Sequence, residues 1–477
     1  MSSAGQKVLE FHGGVPAMLL SFGVMFAGIL WLGFTGSALP EAFWPFVILG
    51  LFVGLVLAKD RQLYIDALVR GISSNMLAIM LLAWFLAGIM ARLLRETGLI
   101  EGLIWMFIKI GISSAWFPLI TFLASSMMSL STGTSVGTII GVTPILFPVG
   151  YALGANPLLI VGAVIGGAFV GDNLAPISDT TIVSAYSQGT TTQKVVRTRL
   201  KYAVVAGTVT ILTYIAFAIG NPGQTVRELP ELKPMGLAML LVPILLMYLM
   251  IRGQHLVSAM LYSTAFGMIL ALATGLLTPS GLLSINKAEF TAGGIVIQGI
   301  ADMWGVAVFT IFLMGMIGTL EQARFIDWLI EKSEKFATTP RRAEIAMVFV
   351  SLLVNALTTA GTPTMVMLGP WVRRLGHRFR IAPWRRGNLL DATSCSIIGF
   401  LPYSVAVLIP FAMVGTLVKD AAAINFTPVG LIPYVFYCWA LMLVMIFAAA
   451  TSWGIELIDE VEYEREAEEI YGMQEAL

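Results

Sequence analysis

Two aspartates stand seven residues apart in the stretch GDNLAPISDTT at 171–181. From Ile110 to Val170 the preceding chain carries no Asp, Glu, Lys or Arg. Around Asp172 and Asp179 lie Asn173, Ser178, Thr180 and Thr181, with Pro176 between the carboxylates. Carboxylates, hydroxyls and free carbonyls are the ligands that small hard cations such as Na+ take. A carboxylate also takes up a proton, so one such cluster can hold a cation and a proton in turn. Pro176 removes a backbone donor and obstructs the helix behind it, which frees backbone groups where the carboxylates sit. The glycine run GAVIGGAFVG (162–171) reads instead as close helix packing.

The elements that must position this cluster are membrane spans. The chain of 477 residues is 57% hydrophobic and 12% charged, with a mean hydropathy of +0.86, about half the charge of a soluble protein. Uncharged runs long enough to cross a bilayer recur at Gly13–Pro40, Gly71–Ala91, Tyr202–Gly220, Leu256–Asn286, Met303–Leu320 and Pro428–Ile455, with shorter ones at Ala42–Ala58 and Gly236–Ile251. The reading is an all-α polytopic membrane protein. A carboxylate at membrane depth costs ~3 kcal/mol or more and usually lines a substrate or ion path, and unwound backbone survives there only inside protein or beside a wet cavity. No cleavable signal is expected, since the first apolar run is too long for one. Cys395 and Cys438 lack motif spacing, and His12, His255 and His377 are scattered, so neither a disulfide framework nor a metal site is expected. Glu456–Leu477, with nine acids and one Arg, reads as a solvated cytoplasmic tail.

The chain repeats weakly at an offset of about 226 residues. TGLIEGLI (97–104) matches ARFIDWLI (323–330), STGTS (131–135) matches TAGTP (359–363), and PIS (176–178) matches PYS (402–404). The loop Val372–Arg386 holds six Arg where its counterpart Gly150–Pro157 has no Lys or Arg. Tyr186–Lys201 holds four basic residues where Thr416–Thr427 has one Lys beside one Asp. Equivalent loops of opposite basic character lie on opposite sides of the membrane, the mark of two inverted-topology repeats. Each repeat is expected to carry a re-entrant helical hairpin and a broken transmembrane helix. The first repeat spans 1–220, with its hairpin tip at Ser131–Ser135 and its break at 171–181. An extracytoplasmic linker follows at 221–235, and the second repeat spans 236–455, with its tip at 359–363 and its break near 399–404. The tail is 456–477. Counting crossings puts both termini in the cytoplasm and every major basic cluster inside, except Arg92 and Arg95.

GDNLAPISDTT resembles the signature of the NhaC family of Na+/H+ antiporters within the ion-transporter superfamily, G-D-x-[LM]-[SA]-P-[LI]-S-D-T-T. Gly171, Asp172, Pro176, Ser178, Asp179, Thr180 and Thr181 all match. The resemblance implies secondary transport by alternating access in a bacterial cytoplasmic (inner) membrane, with Asp172 and Asp179 as leading candidates for cation or proton handling. The second break, GFLPYSVAV (399–407), departs from the family pattern in lacking an acidic pair. Carriers of this architecture often pair through a scaffold, so a homodimer is expected; no cofactor and no nucleic acid is.

Two transport readings follow. In the first, Asp172, Asn173, Ser178, Asp179, Thr180, Thr181 and Asp391, the last in an otherwise uncharged crossing, handle Na+ and H+ in exchange. In the second, a Na+-coupled carrier of a small organic solute such as a carboxylate or amino acid, Na+ and the solute are held at the hairpin tips and the second break. Those positions are Ser131, Thr132, Gly133, Thr134, Asn355, Thr359, Gly361, Thr362, Thr393, Ser394, Tyr403 and Ser404. No nucleophile–base or zinc-ligand motif at usable spacing points to an enzyme, and paired hairpins favour a carrier over a channel.

Overall fold

The computed structural model describes residues 7–35, 40–110, 113–220, 233–286, 291–417 and 426–475, so most of the expected linker 221–235 lies outside the described residues. Among these, nine helices are long and apolar enough to cross a membrane. Their enclosure differs, and the difference sorts them. Pro157–Ser187 and Pro383–Leu417 are 83% and 78% buried within the protein, whereas Thr192–Gly220 is 28% and Leu256–Ala273 33% buried. Leu212, Ile219, Leu261 and Ile269 on the latter two are exposed, which suits a lipid-facing surface and not an aqueous one. The two spans with expected breaks are therefore the central ones.

Both breaks and both tips fall where the polar residues do. Pro157–Leu174 and Asp179–Ser187 are separated at 175–178, and Pro383–Ile397 continues as a short 3-10 turn to Phe400 before Val405–Leu417 resumes. One hairpin comprises Phe117–Thr132 and Ser135–Ala152, the other Pro340–Thr358 and Gly361–Arg378. At the tips Gly133 (φ 69°) and Thr359 (φ 53°) turn the chain through the left-handed region. Glycine adopts it freely, while the Cβ of Thr359 makes it costly by about 1–2 kcal/mol. A hydroxyl pair closes the base of each tip: Thr132 with Thr138 at 3.2 Å, and Thr358 with Thr364 at 2.7 Å. The glycine run does pack closely. A Cβ on Gly171 would lie 2.0 Å from the backbone of Ser129, and one on Gly167 would lie 2.6 Å from the carbonyl of Phe122, so the first hairpin lies directly on the first broken span.

The outer elements differ from expectation in three places. Arg61–Ile72 forms a separate helix before Asn75–Glu96, its polar face hiding it from a hydropathy reading. Ile295–Asp302 likewise precedes Trp304–Gln322. These four pack crosswise, Arg61–Ile72 on Trp304–Gln322 and Asn75–Glu96 on Ile295–Asp302; similarly Asp179–Ser187 packs on Gly361–Arg378 and Val405–Leu417 on Ser135–Ala152. The last expected span, 428–453, is bent by 62° between Pro428–Tyr434 and Phe436–Thr451.

The acidic tail is not simply solvated. Glu460–Glu475 is a helix held on the second half by Arg386 with Glu466, Arg373 with Glu469 at 2.5 Å and Arg380 with Glu460 at 2.7 Å. His377 stacks on Tyr463 at 4.2 Å, and Ile381 bridges Leu457. The six-Arg segment thus has acids waiting for it within its own chain. Arg92, one of the two exceptions to the charge count, forms a two-pronged pair with Asp302 at 2.8 and 2.9 Å, so its charge is balanced locally.

Candidate functional site

The breaks and tips meet around a single cavity of about 480 Å³. Asp172 ends the first helix of the broken span and is buried, one oxygen accepting from Ser178 at 2.8 Å and the other from Ser135 at 2.6 Å. Asp179 opens the next helix, is exposed, and accepts from Thr362 at 2.6 Å. Ser135 and Thr362 belong to the first turns of the second helices of the two hairpins. Each hairpin tip therefore holds one carboxylate. Thr180 lines the cavity, bonds Ser178 at 2.9 Å and reaches the carbonyl of Asp172 at 3.1 Å. Ser178 stands in the N-cap position but spends its hydroxyl on Asp172 and not on the helix. That choice ties the two sides of the break together through the carboxylate.

Of the positions read from sequence, Asp172, Asp179, Thr180, Thr134, Thr359, Gly361, Thr362 and Ser394 line the cavity. Asn173 stands behind it, donating to Tyr437 at 3.0 Å. Asn355 donates to Ser394 at 2.9 Å, so it supports a lining residue. Tyr403 donates to the carbonyl of Ala356 at 2.6 Å, and Ser404 is buried with its hydroxyl unpartnered. Ser131 is exposed and Thr393 is buried, both bonding back to their own helices at 2.9 and 2.6 Å. Thr132 and Gly133 shape the tip without facing the cavity.

Asp391 requires correction. It does not line the cavity: it is fully buried in an ion pair with Arg199. Around the same guanidinium lie the carbonyl of Asn173, the hydroxyl of Thr181 at 3.2 Å and the side-chain oxygen of Asn388 at 3.0 Å. Thr181 also donates to Asp391 at 3.2 Å. With a permanent cation beside it, Asp391 is already neutralised and binds the two broken spans to each other. Sequence reasoning placed Arg199 in a cytoplasmic loop because it sits among Lys194, Arg197 and Lys201; no local signal reports that its side chain turns inward. Trp84 and Cys395, which also line the cavity, were missed for a similar reason, since neither stands in a polar motif.

This fold and site define a multi-pass secondary transporter, with carboxylates at a helix break enclosed by two hairpin tips. The chain belongs to the Na+/H+ antiporter family, whose profile matches residues 9–219 and 229–446. It is similar to the malate-2H(+)/Na(+)-lactate antiporter of Bacillus subtilis (strain 168), 26% identical over 67% of this chain and 71% of that protein. It is also similar to the Na(+)/H(+) antiporter NhaC of Alkalihalophilus pseudofirmus, 23% identical over 83% and 89%. A solved structure of Neisseria gonorrhoeae MtrF, described as illuminating a class of antimetabolite efflux pumps, covers 83% of this chain and 84% of its own at 13% identity and a TM-score of 0.38, a likeness too loose to inform the site.

Proposed function

We propose that this protein exchanges Na+ for H+ across the cytoplasmic membrane, with Asp172 and Asp179 binding the two ions in turn. The observation that carries this is their shared cavity, in which each carboxylate is held by a hydroxyl from a different hairpin. When both are ionised, two negative charges and the hydroxyls of Ser135, Thr180 and Thr362 offer Na+ an oxygen shell. Protonation removes the charge that holds Na+, so uptake of one ion expels the other. Because the hydroxyls come from separate hairpins, a rearrangement of either tip remakes one carboxylate's contacts, which links ion occupancy to access from one side or the other.

The two halves are read as inverted repeats. Support comes from the crosswise packing of equivalent helices, the left-handed residue at each tip and the matching hydroxyl pairs, all at an offset of about 226 residues. Cytoplasmic termini fit the meeting of Leu9 and Lys7 with Gln322 and of Phe11 with Ala58, which gathers the N-terminus and two span ends on one face. The test is a Na+ pulse outside proteoliposomes that hold a pH dye. A pH change that disappears in Asp179→Asn supports the reading; no change in tight vesicles, or a change that persists in the variant, overturns it.

A further inference from the structure

The residues that line the cavity from the two halves differ in kind. At the offset of about 226 residues, the counterparts of Asp172, Asp179 and Thr180 are Ile398, Val405 and Ala406. All six line the same space. The loss of the carboxylate is registered locally: Ser178 donates to Asp172 at 2.8 Å, whereas its counterpart Ser404 is buried with an unpartnered hydroxyl. Ile79, Met80, Trp84 and Leu256 add to the apolar lining. Such walls offer Na+ no ligand and hold water poorly. A Na+ ion needs only the oxygens around the two carboxylates, yet the cavity's roughly 480 Å³ falls in the range of pockets that enclose small organic molecules.

Charge narrows the occupant. Among the described residues lining the cavity none is Lys, Arg or His, and two are carboxylates, so an anionic solute finds no charge of opposite sign and a cation finds two. Trp84 and Phe169 add aromatic surface, which attracts ammonium ions when a ring face is presented.

We propose that this cavity binds a small organic monocation in competition with Na+, its charged head at Asp172 and Asp179 and its apolar body against Ile398, Val405 and Ala406. The proposal rests on the ion-binding reading above and adds the class of ligand that the apolar lining selects.

The test uses permanently charged cations, which carry no dissociable proton: tetramethylammonium, choline and benzyltrimethylammonium, with pivalate as an anion of similar bulk. Two readouts are taken on the full-length protein, inhibition of the Na+-driven pH signal in proteoliposomes and the shift in melting temperature in detergent. The expected result is competitive inhibition, a raised apparent KM for Na+ at unchanged maximal rate, and a stabilisation absent in Asp179→Asn. Affinity is expected to rise about fourfold for each methylene equivalent the apolar lining buries, and pivalate is expected to do neither. Na+ exchange that no cation inhibits, together with no stabilisation, overturns the inference and leaves the exchange reading standing. Asp179-dependent stabilisation without Na+ exchange supports the inference and overturns the exchange reading. Absence of both effects overturns both.

Discussion

Asp172 and Asp179 differ in setting although they share a cavity: the first is buried between two serines, the second is exposed and held by one threonine. Asn at either position is expected to lower exchange at least a hundredfold while leaving the protein folded in the membrane, as vesicle flux and size-exclusion profiles would report. Thr362→Val removes a hydrogen bond to a charged group, an interaction of about 1.5–3 kcal/mol, and should slow exchange about tenfold. Ser131→Ala, on an exposed hydroxyl that bonds its own helix, should stay within about twofold. Arg199→Gln leaves Asp391 buried without its partner, which costs about 3–5 kcal/mol, so its melting temperature should fall sharply. The double variant Arg199→Gln/Asp391→Asn should recover most of the loss and keep Na+ exchange; if it folds yet fails to transport, the structural role assigned to Asp391 is wrong.

At the scale of elements, close packing and charge pairing each give a contrast that can be measured. Gly171→Ala puts a Cβ 2.0 Å from the backbone of Ser129 and should cost about 3 kcal/mol through forced separation of hairpin and span. Gly207→Ala, with nothing within 4 Å, should stabilise its helix by up to about 1 kcal/mol. On the tail helix, Glu466→Ala strips the buried Arg386 of its partner and should destabilise by about 3 kcal/mol, whereas Glu464→Ala, exposed, should change stability by less than about 0.5 kcal/mol. Thermal unfolding in detergent checks all four. These contrasts also mark where the sequence stops being legible. The tips at 133–134 and 359–360 and the breaks at 175–178 and 398–404 announce themselves, because glycine, proline and hydroxyls must appear wherever backbone is unwound inside a membrane. The helix Arg61–Ile72 does not, since an amphipathic helix buried on a neighbour resembles a polar loop in hydropathy. The tail's docking was also hidden: its nine acids show in the sequence, but their arginine partners lie 80 to 96 residues earlier.

Across the whole molecule, two chemically unequal halves surround one site. The carboxylates that line the cavity stand on the first broken span, and the second supplies apolar residues at the same relative positions. The first half's motif therefore made the cavity's carboxylates readable, while Arg199, Trp84 and Cys395 required the fold to bring distant segments together. The central claim is that the same two carboxylates exchange a proton for Na+. The most direct measurement is proton release from purified protein in weakly buffered detergent solution on addition of Na+. The account predicts prompt release from the wild-type protein, and its loss in both Asp172→Asn and Asp179→Asn. Release that persists unchanged in either folded variant, or no release from a wild-type protein shown to bind Na+, would contradict it.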